Sequence, residues 1–287
     1  MSRIAYVNGA YVPHSHAAVH IEDRGYQLGD AVYEVWAVFD GKMADAEGHF
    51  ARLERSMAEL KMTPPMDRRA MTVVLREVLR RNRVKNGIVY IQVSRGAARR
   101  DHVFPAPDTA PAMVVTARNI DPALGAAKAQ QGIKVVTVPE TRWGRCDIKT
   151  VNLLPNCLAR QTAKEQGAAE AWFVDSDGLV TEGAATNAWI VDQEGVLHTR
   201  TIEANILRGI TRSTLMRVVA DKGLTVDQQP FTVAQAQAAK EAFITGAGTL
   251  VMPVVEIDGK KLGDGKPGPL ATQLRETYMQ YARDASV

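Results

Sequence analysis

Strands and helices interleave along this 287-residue chain without strict β-α-β alternation, which predicts an α/β protein of α+β-like character. Three observations carry that expectation. Two amphipathic helical patterns, 47–62 and 67–82, stand among strand patterns in the first part of the chain. From residue 133 onward the pattern is strand-rich. No Gly-x-Gly-x-x-Gly follows a strand, so a doubly wound dinucleotide-binding sheet is a poor reading.

Residues 4–12 read as a hairpin around Asn8-Gly9, a favoured two-residue turn. A strand at 31–39 ends at the turn Asp40-Gly41. Phe50, Leu53, Met57 and Leu60 at helical spacing define the helix 47–62, which Pro64-Pro65 ends. Met71, Val74, Leu75, Val78 and Leu79 define the helix 67–82. Strands follow at 88–94 and 112–117. The long 95–110 connection between them, with Gly96 and three prolines, has the length of a functional or disordered loop.

Asn119-Ile-Asp-Pro122 reads as a linker. The expected division is an N-terminal α/β domain at 1–118, a linker at 119–124 and a C-terminal domain at 125–287. Beyond the linker, strands are expected at 133–138, 170–175, 179–182, 187–191, 196–199, 224–229, 241–245 and 250–257. Helices are expected at 155–166, 208–221, 232–239 and 269–283.

A hydrophobic content of 46% suits one large domain or two modest ones with real cores. The formal net charge of +3 is mildly basic, and no Lys/Arg run interleaves with aromatics, which argues against nucleic-acid binding. Two cysteines, Cys146 and Cys157, make neither a disulfide framework nor a zinc site, so a reduced cytosolic setting is expected, with no metal. No run of about 20 apolar residues predicts a membrane span, and no signal peptide is expected at the start.

Two stretches carry chemistry. Arg142 to Asn156 holds a single lysine, Lys149, between a strand pattern and a helix pattern. A lysine held partly desolvated there suits Schiff-base chemistry; a solvated loop lysine is the plain alternative. Gly178 to Asn187 reads as a strand ending in Glu182, followed by a tight turn of small residues that lets a flat ligand approach the backbone. A buried carboxylate there keeps a pyridine nitrogen protonated. Lysine and such a carboxylate are the pair that pyridoxal 5'-phosphate (PLP) chemistry requires.

The chain resembles the fold-type IV PLP-dependent aminotransferases, and among them the D-amino acid transaminases. The matching stretches run in the family's order over nearly the whole chain: Asp23 to Glu34, His49 to Leu53, Ser94 to Pro105, Cys146 to Lys149, Thr181-Glu182-Gly183, Leu207 to Arg212 and Met252 to Gly259. The resemblance implies two α/β domains, a small N-terminal and a larger C-terminal one, with the cofactor between them.

It also implies roles. Lys149 is the Schiff-base lysine and proton carrier, and Glu182 the partner of the ring nitrogen. Arg142 lies close to both, or is a solvated loop arginine. Arg52 binds the cofactor phosphate, as do the backbone and hydroxyl of Thr211, the N–H of Ile210, and the turn at Gly246 and Ala247. Leu207 packs on the ring face. Tyr33, Arg100 and His102 clamp the substrate carboxylate, the loop pair coming from the neighbouring subunit of a homodimer. The other histidines, His49 and His198 among them, have no partner spacing. The chain departs from the pattern at Gly246 and Ala247 and at Ala184-Ala185, where relatives often carry hydroxyls; each lost hydrogen bond to a charged group costs about 1.5–3 kcal/mol if nothing replaces it.

The implied reaction moves an amino group from a D-amino acid to a 2-oxo acid. Branched-chain L-amino acid aminotransferases and (R)-selective amine transaminases share the scaffold and stay open, and nothing points to an aminodeoxychorismate lyase. A PLP-binding homologue without turnover is the remote alternative.

Overall fold

The structure, a computed structural model, describes residues 3–202 and 205–287. The chain divides into two units. The first runs through Asp121 and takes in Ile148–Asn152 and Ala285–Val287. The second comprises Pro122–Asp147 and Leu153–Asp284.

In the first unit, Asn8 and Gly9 take φ of 46° and 99°, both positive as a two-residue hairpin turn of matching twist requires. They join β1 (Ile4–Val7) to β2 (Ala10–Pro13). A short helix, α1 (Arg24–Leu28), leads into β3 (Ala31–Phe39), which turns at Asp40-Gly41 into β4 (Lys42–Met43). Then come α2 (Ala46–Glu59), α3 (Arg68–Arg81), β5 (Gly87–Ser94) and β6 (Ala112–Asn119). The strands form one antiparallel sheet in the order β2-β1-β6-β5-β3-β4. Alternation along β3 sends Val32, Trp36 and Val38 inward, into one core with Phe50, Leu53 and Met57 of α2 and Met71, Leu75 and Val78 of α3. Ile148 is buried in the same core.

The second unit begins with α4 (Pro122–Gln131), with two residues separating it from the end of β6. Only Ala129 of α4 is buried, so no apolar stripe marks this helix in the sequence. It continues through β7 (Ile133–Pro139), α5 (Leu154–Glu165), β8 (Glu170–Val174), β9 (Val180–Gly183), β10 (Asn187–Val191) and β11 (Leu197–His198). The last elements are α6 (Ile210–Asp221), β12 (Val226–Asp227), α7 (Val233–Ala238), β13 (Glu241–Gly246), β14 (Leu250–Ile257), β15 (Lys260–Lys261) and α8 (Pro269–Asp284). Their sheet runs β12-β11-β10-β13-β14-β7-β8-β9, with β15 on β14. Parallel pairs (β7 with β8 and β14, β11 with β12) mix with antiparallel ones. The mixed α/β class with two sheets is thus as the sequence predicts. The strands expected at 196–199 and 224–229 shrink to two residues each, β12 forming the edge of the sheet and β11 lying next to it. Among the described residues, no helix is long and apolar enough to cross a membrane.

Candidate active site

Lys149 belongs to the first unit, and β3 holds its backbone. The Tyr33 N–H donates to the Lys149 carbonyl at 3.0 Å and the Val151 N–H to the Ala31 carbonyl at 3.1 Å, so 149–151 lies along the start of β3. The Lys149 N–H donates to Ser56 Oγ at 3.3 Å. Its side chain is half-buried, with Nζ 4.2 Å from the centre of the Tyr33 ring. Among the described residues it has no carboxylate partner, so a cation–π contact is what steadies this amine. The structure therefore brings together two of the predicted site residues, Lys149 and Tyr33.

Arg52 is buried on α2. Its Nε donates to Glu34 Oε1 at 2.6 Å and its Nη2 to Glu34 Oε2 at 2.9 Å. His49 Nδ1 lies 2.7 Å from the same carboxylate. Glu34 is fully buried. Burial pushes its carboxyl up, but the Arg52 charge and hydrogen bonds and the His49 ring outweigh burial and hold it at about 2. His49 is shifted down, burial outweighing the carboxylate beside it. A bidentate pair of this kind fixes the guanidinium plane. Spacing assigns neither Glu34 nor His49 a partner. The signal was parity: Glu34 sits on β3 between inward Val32 and Trp36, and an inward carboxylate demands a cation.

Arg100 and His102 stand exposed on the loop between β5 and β6. Among the described residues neither makes an ion pair, and neither hydrogen-bonds to Tyr33.

In the second unit, Glu182 lies on β9, one residue before its end, and is 4% exposed. Donors converge on its carboxylate: Arg142 Nη1, Asn187 Nδ2 at 2.9 Å, and the Leu207 N–H at 3.1 Å from each oxygen. Arg142 is no solvated loop arginine. Its Nε and Nη2 also grip Glu140, at 2.9 and 2.6 Å, and its guanidinium stands 4.5 Å from the centre of the Phe173 ring. Burial opposes its charge, but Glu140 and Glu182 more than compensate and raise its pKa. Glu140 in turn is shifted down: burial raises it, and the hydrogen bond and charge of Arg142 prevail. Glu182 is thus a buried carboxylate matched by a buried cation.

Asn187, to which the sequence reading gives no role, joins this cluster. Its Nδ2 also donates to the Leu207 carbonyl at 3.0 Å, so one amide ties Glu182 to the 207–209 turn. The fit excludes a side chain at Gly209, where a Cβ would stand 1.9 Å from Asn187 Oδ1. Gly209 is the N-cap of α6 and supplies no side-chain cap; Ile210 and Thr211, both buried, open the helix. Their N–H groups belong to the first turn, which has no intrahelical acceptors. The turn after Glu182 is as tight as its small residues predict: the Gly183 N–H donates to the Thr186 carbonyl at 2.7 Å. Gly246 and Ala247 lie where β13 leaves the sheet, with the Thr249 N–H donating to the Gly246 carbonyl at 3.2 Å.

A model of the class IV amino-transferase family matches residues 31–257. A D-alanine aminotransferase of Staphylococcus haemolyticus is 36% identical over 282 residues, covering 98% of each chain. One from Bacillus licheniformis is 37% identical over 268 residues, 93% of each chain. Among solved structures, the branched-chain aminotransferase of the thermophilic archaeon Thermoproteus uzoniensis with norvaline superposes with a TM-score of 0.83 at 25% identity, covering 98% of this chain and 94% of that one.

Proposed function

The chain belongs to the class IV aminotransferase family, and on that premise we propose that it is a PLP-dependent D-amino acid transaminase, moving the amino group of a D-alanine-like donor to a 2-oxoglutarate-like acceptor. The observation that carries the donor class is the full-length likeness to D-alanine aminotransferases. The residues present fit the cofactor. A buried carboxylate balanced by Arg142 suits a ring nitrogen, an uncapped helix start at Ile210 and Thr211 suits a phosphate, and Lys149 has no competing carboxylate among the described residues.

Bound PLP supplies an electrophilic carbon for the amino group and an electron sink for the carbanion at the substrate Cα. The chain supplies the rest. Lys149 would hold the cofactor, and its amine would move the proton at the substrate Cα. Glu182 would hold the proton on the ring nitrogen, and Arg142 pairs with that carboxylate. Leu207 packs on the ring face. Arg52, the N–H groups of Ile210 and Thr211, the Thr211 hydroxyl and the turn at Gly246 and Ala247 bind the phosphate.

Tyr33, Arg100 and His102 bind the substrate carboxylate on one side, leaving the D hydrogen toward Lys149. The loop pair comes from a second copy of the chain. In support, neither Arg100 nor His102 bonds to Tyr33 within one chain, and large apolar side chains stand exposed on and before that loop: Ile21 at 76%, Tyr26 at 76%, Val103 at 72% and Phe104 at 54%. The two cysteines are free, which supports a reducing cytoplasmic setting.

The branched-chain alternative has an observation in its favour, the close superposition on the Thermoproteus uzoniensis branched-chain aminotransferase. One panel decides: purified yellow protein is mixed with D-alanine, L-leucine or (R)-1-phenylethylamine, and bleaching of the cofactor absorbance is followed. Fastest bleaching by D-alanine is expected. Preference for L-leucine replaces this reading with the branched-chain one, and yellow protein that no amine bleaches leaves only a binding homologue.

A further inference from the structure

We infer that Arg24 is a positioning residue for substrate recognition, the anchor that holds the Arg100–His102 loop in its working shape; this rests on the proposed role of that loop. The connection from Arg95 to Pro111 has no regular secondary structure, and a loop of this length is costly to order without anchors. Arg24 is one of them. Asp23 caps α1 through Oδ1, accepting from the Gly25 N–H at 2.8 Å, and the Arg24 N–H donates to the Gly96 carbonyl at 2.9 Å. The Arg24 side chain is 3% exposed.

Its Nε donates to Asp30 Oδ2 at 2.8 Å. Its Nη1 donates to the Asp101 carbonyl at 2.7 Å and to the Val103 carbonyl at 3.3 Å. Those two carbonyls flank His102, and the first belongs to the residue directly after Arg100. The Val103 N–H folds back onto Asp101 Oδ1 at 3.2 Å, so His102 tops a small turn that Arg24 grips by its backbone.

Asp30 carries a second guanidinium. Arg95 pairs with it through Nε at 2.7 Å and Nη2 at 3.0 Å, donates to the Leu60 carbonyl at 2.7 Å, and stacks on the loop's Phe104 with its centre 3.7 Å from the ring. Asp30 stands directly before β3, so one carboxylate anchors both guanidiniums that hold the loop. A planar fork can hold a carboxylate and two carbonyls together, whereas a lysine ammonium is a point charge that fits one or two of these partners.

The test uses the holoenzyme carrying Arg24→Lys, Arg24→Ala or Arg100→Ala. Half-reactions with D-alanine and with the carboxylate-free (R)-1-phenylethylamine are compared with wild type, and hydrogen exchange is followed in peptides spanning 98–104. Arg24→Lys should lower kcat/KM for D-alanine tenfold or more, chiefly through KM, and move the (R)-amine less than twofold. Exchange at 98–104 should quicken while α2 and α3 keep their protection. Arg100→Ala should show the same substrate split with normal exchange. If Arg100→Ala is selective but Arg24→Lys leaves D-alanine unchanged, or lowers both substrates equally, the inference falls and the clamp stands. If Arg100→Ala itself lowers both equally, the clamp reading falls and this inference with it. Unchanged exchange at 98–104 in Arg24→Lys overturns the anchor whatever the rates, including where Arg24→Ala does not fold.

Discussion

Replacing Glu182 by glutamine tests its proposed role with almost no change of shape. Three donors converge on the two carboxylate oxygens: Arg142 Nη1, Asn187 Nδ2 and the Leu207 N–H. Glutamine offers one acceptor oxygen and one NH2 group, so at least one of these donors meets another donor. A buried donor left without an acceptor costs about 1–3 kcal/mol, which for a chain of this size lowers Tm by several degrees. The catalytic loss should be larger, because the amide cannot hold the ring-nitrogen proton as a carboxylate does. Loss of a positioned acid–base group costs on the order of 10²–10⁴ in rate. Single-turnover absorbance with D-alanine should show that fall in the limiting rate, with little change in the concentration giving half that rate. Glu140→Gln is the control: it disturbs the same Arg142 but leaves the Arg142–Glu182 contact, and should keep the half-reaction within about tenfold of wild type, well short of the catalytic loss above. Unchanged single-turnover rates in Glu182→Gln would remove Glu182 from the ring nitrogen.

Lys149→Ala should abolish transamination while PLP still binds non-covalently, read as retained absorbance that dialysis removes; normal turnover would mean another lysine does the work. Asn187→Ala should leave Lys149 chemistry in place but loosen the link between Glu182 and the 207–209 turn. PLP affinity, measured by absorbance titration, should fall about tenfold, as the loss of one hydrogen bond to a charged group implies; unchanged affinity would make Asn187 a packing residue only. Acid should destabilise the fold through the Glu34 cluster. Glu34 falls from an ordinary value of 4.5 to about 2 in the folded protein, so its stabilisation is present above pH 4.5 and is lost as pH drops toward 2. At about 1.4 kcal/mol per pH unit this amounts to roughly 3 kcal/mol. His49, shifted down by burial, adds an earlier decline below about pH 6.5. Melting temperature against pH should slope downward through this range, and an equally steep slope between pH 4.5 and 2 in Glu34→Gln would acquit the cluster.

Elements that bury an apolar face were legible from spacing alone. The helix expected at 47–62 is α2 at Ala46–Glu59, and that expected at 67–82 is α3 at Arg68–Arg81. Where burial is slight the pattern carries no information. α1 has five residues, too few to show a period, and α4 buries a single alanine. The edge strand β12 and its neighbour β11 are short because pairing, not side-chain alternation, decides where a strand ends. The candidate site divides in the same way. Lys149 and Glu182 are legible as residue types in local motifs. The ion pairs around them come from far along the chain: Arg142 reaches Glu182 across 40 residues, and Arg52 reaches Glu34 across 18. No local pattern encodes such pairs, although inward parity on β3 was a signal that Glu34 needed one.

The departures from the family pattern at Gly246 and Ala247 are better understood with the turn in view. A Cβ at Gly246 would stand 3.1 Å from Thr249 Oγ1, 3.3 Å from the Ala185 carbonyl and 3.3 Å from Thr186 Cγ2. A serine at 246 is therefore crowded from three sides. The space that its side chain would enter is bordered by the Thr249 hydroxyl, three residues along the same turn. This turn carries glycine at 246 and a hydroxyl arriving from 249. The glycine and the threonine are linked by sterics, because restoring serine would require Thr249 or the Ala185 backbone to move. Ala185 matters to this packing through its carbonyl, which no side-chain substitution removes, so the loss of a hydroxyl at 185 leaves the backbone of the turn intact.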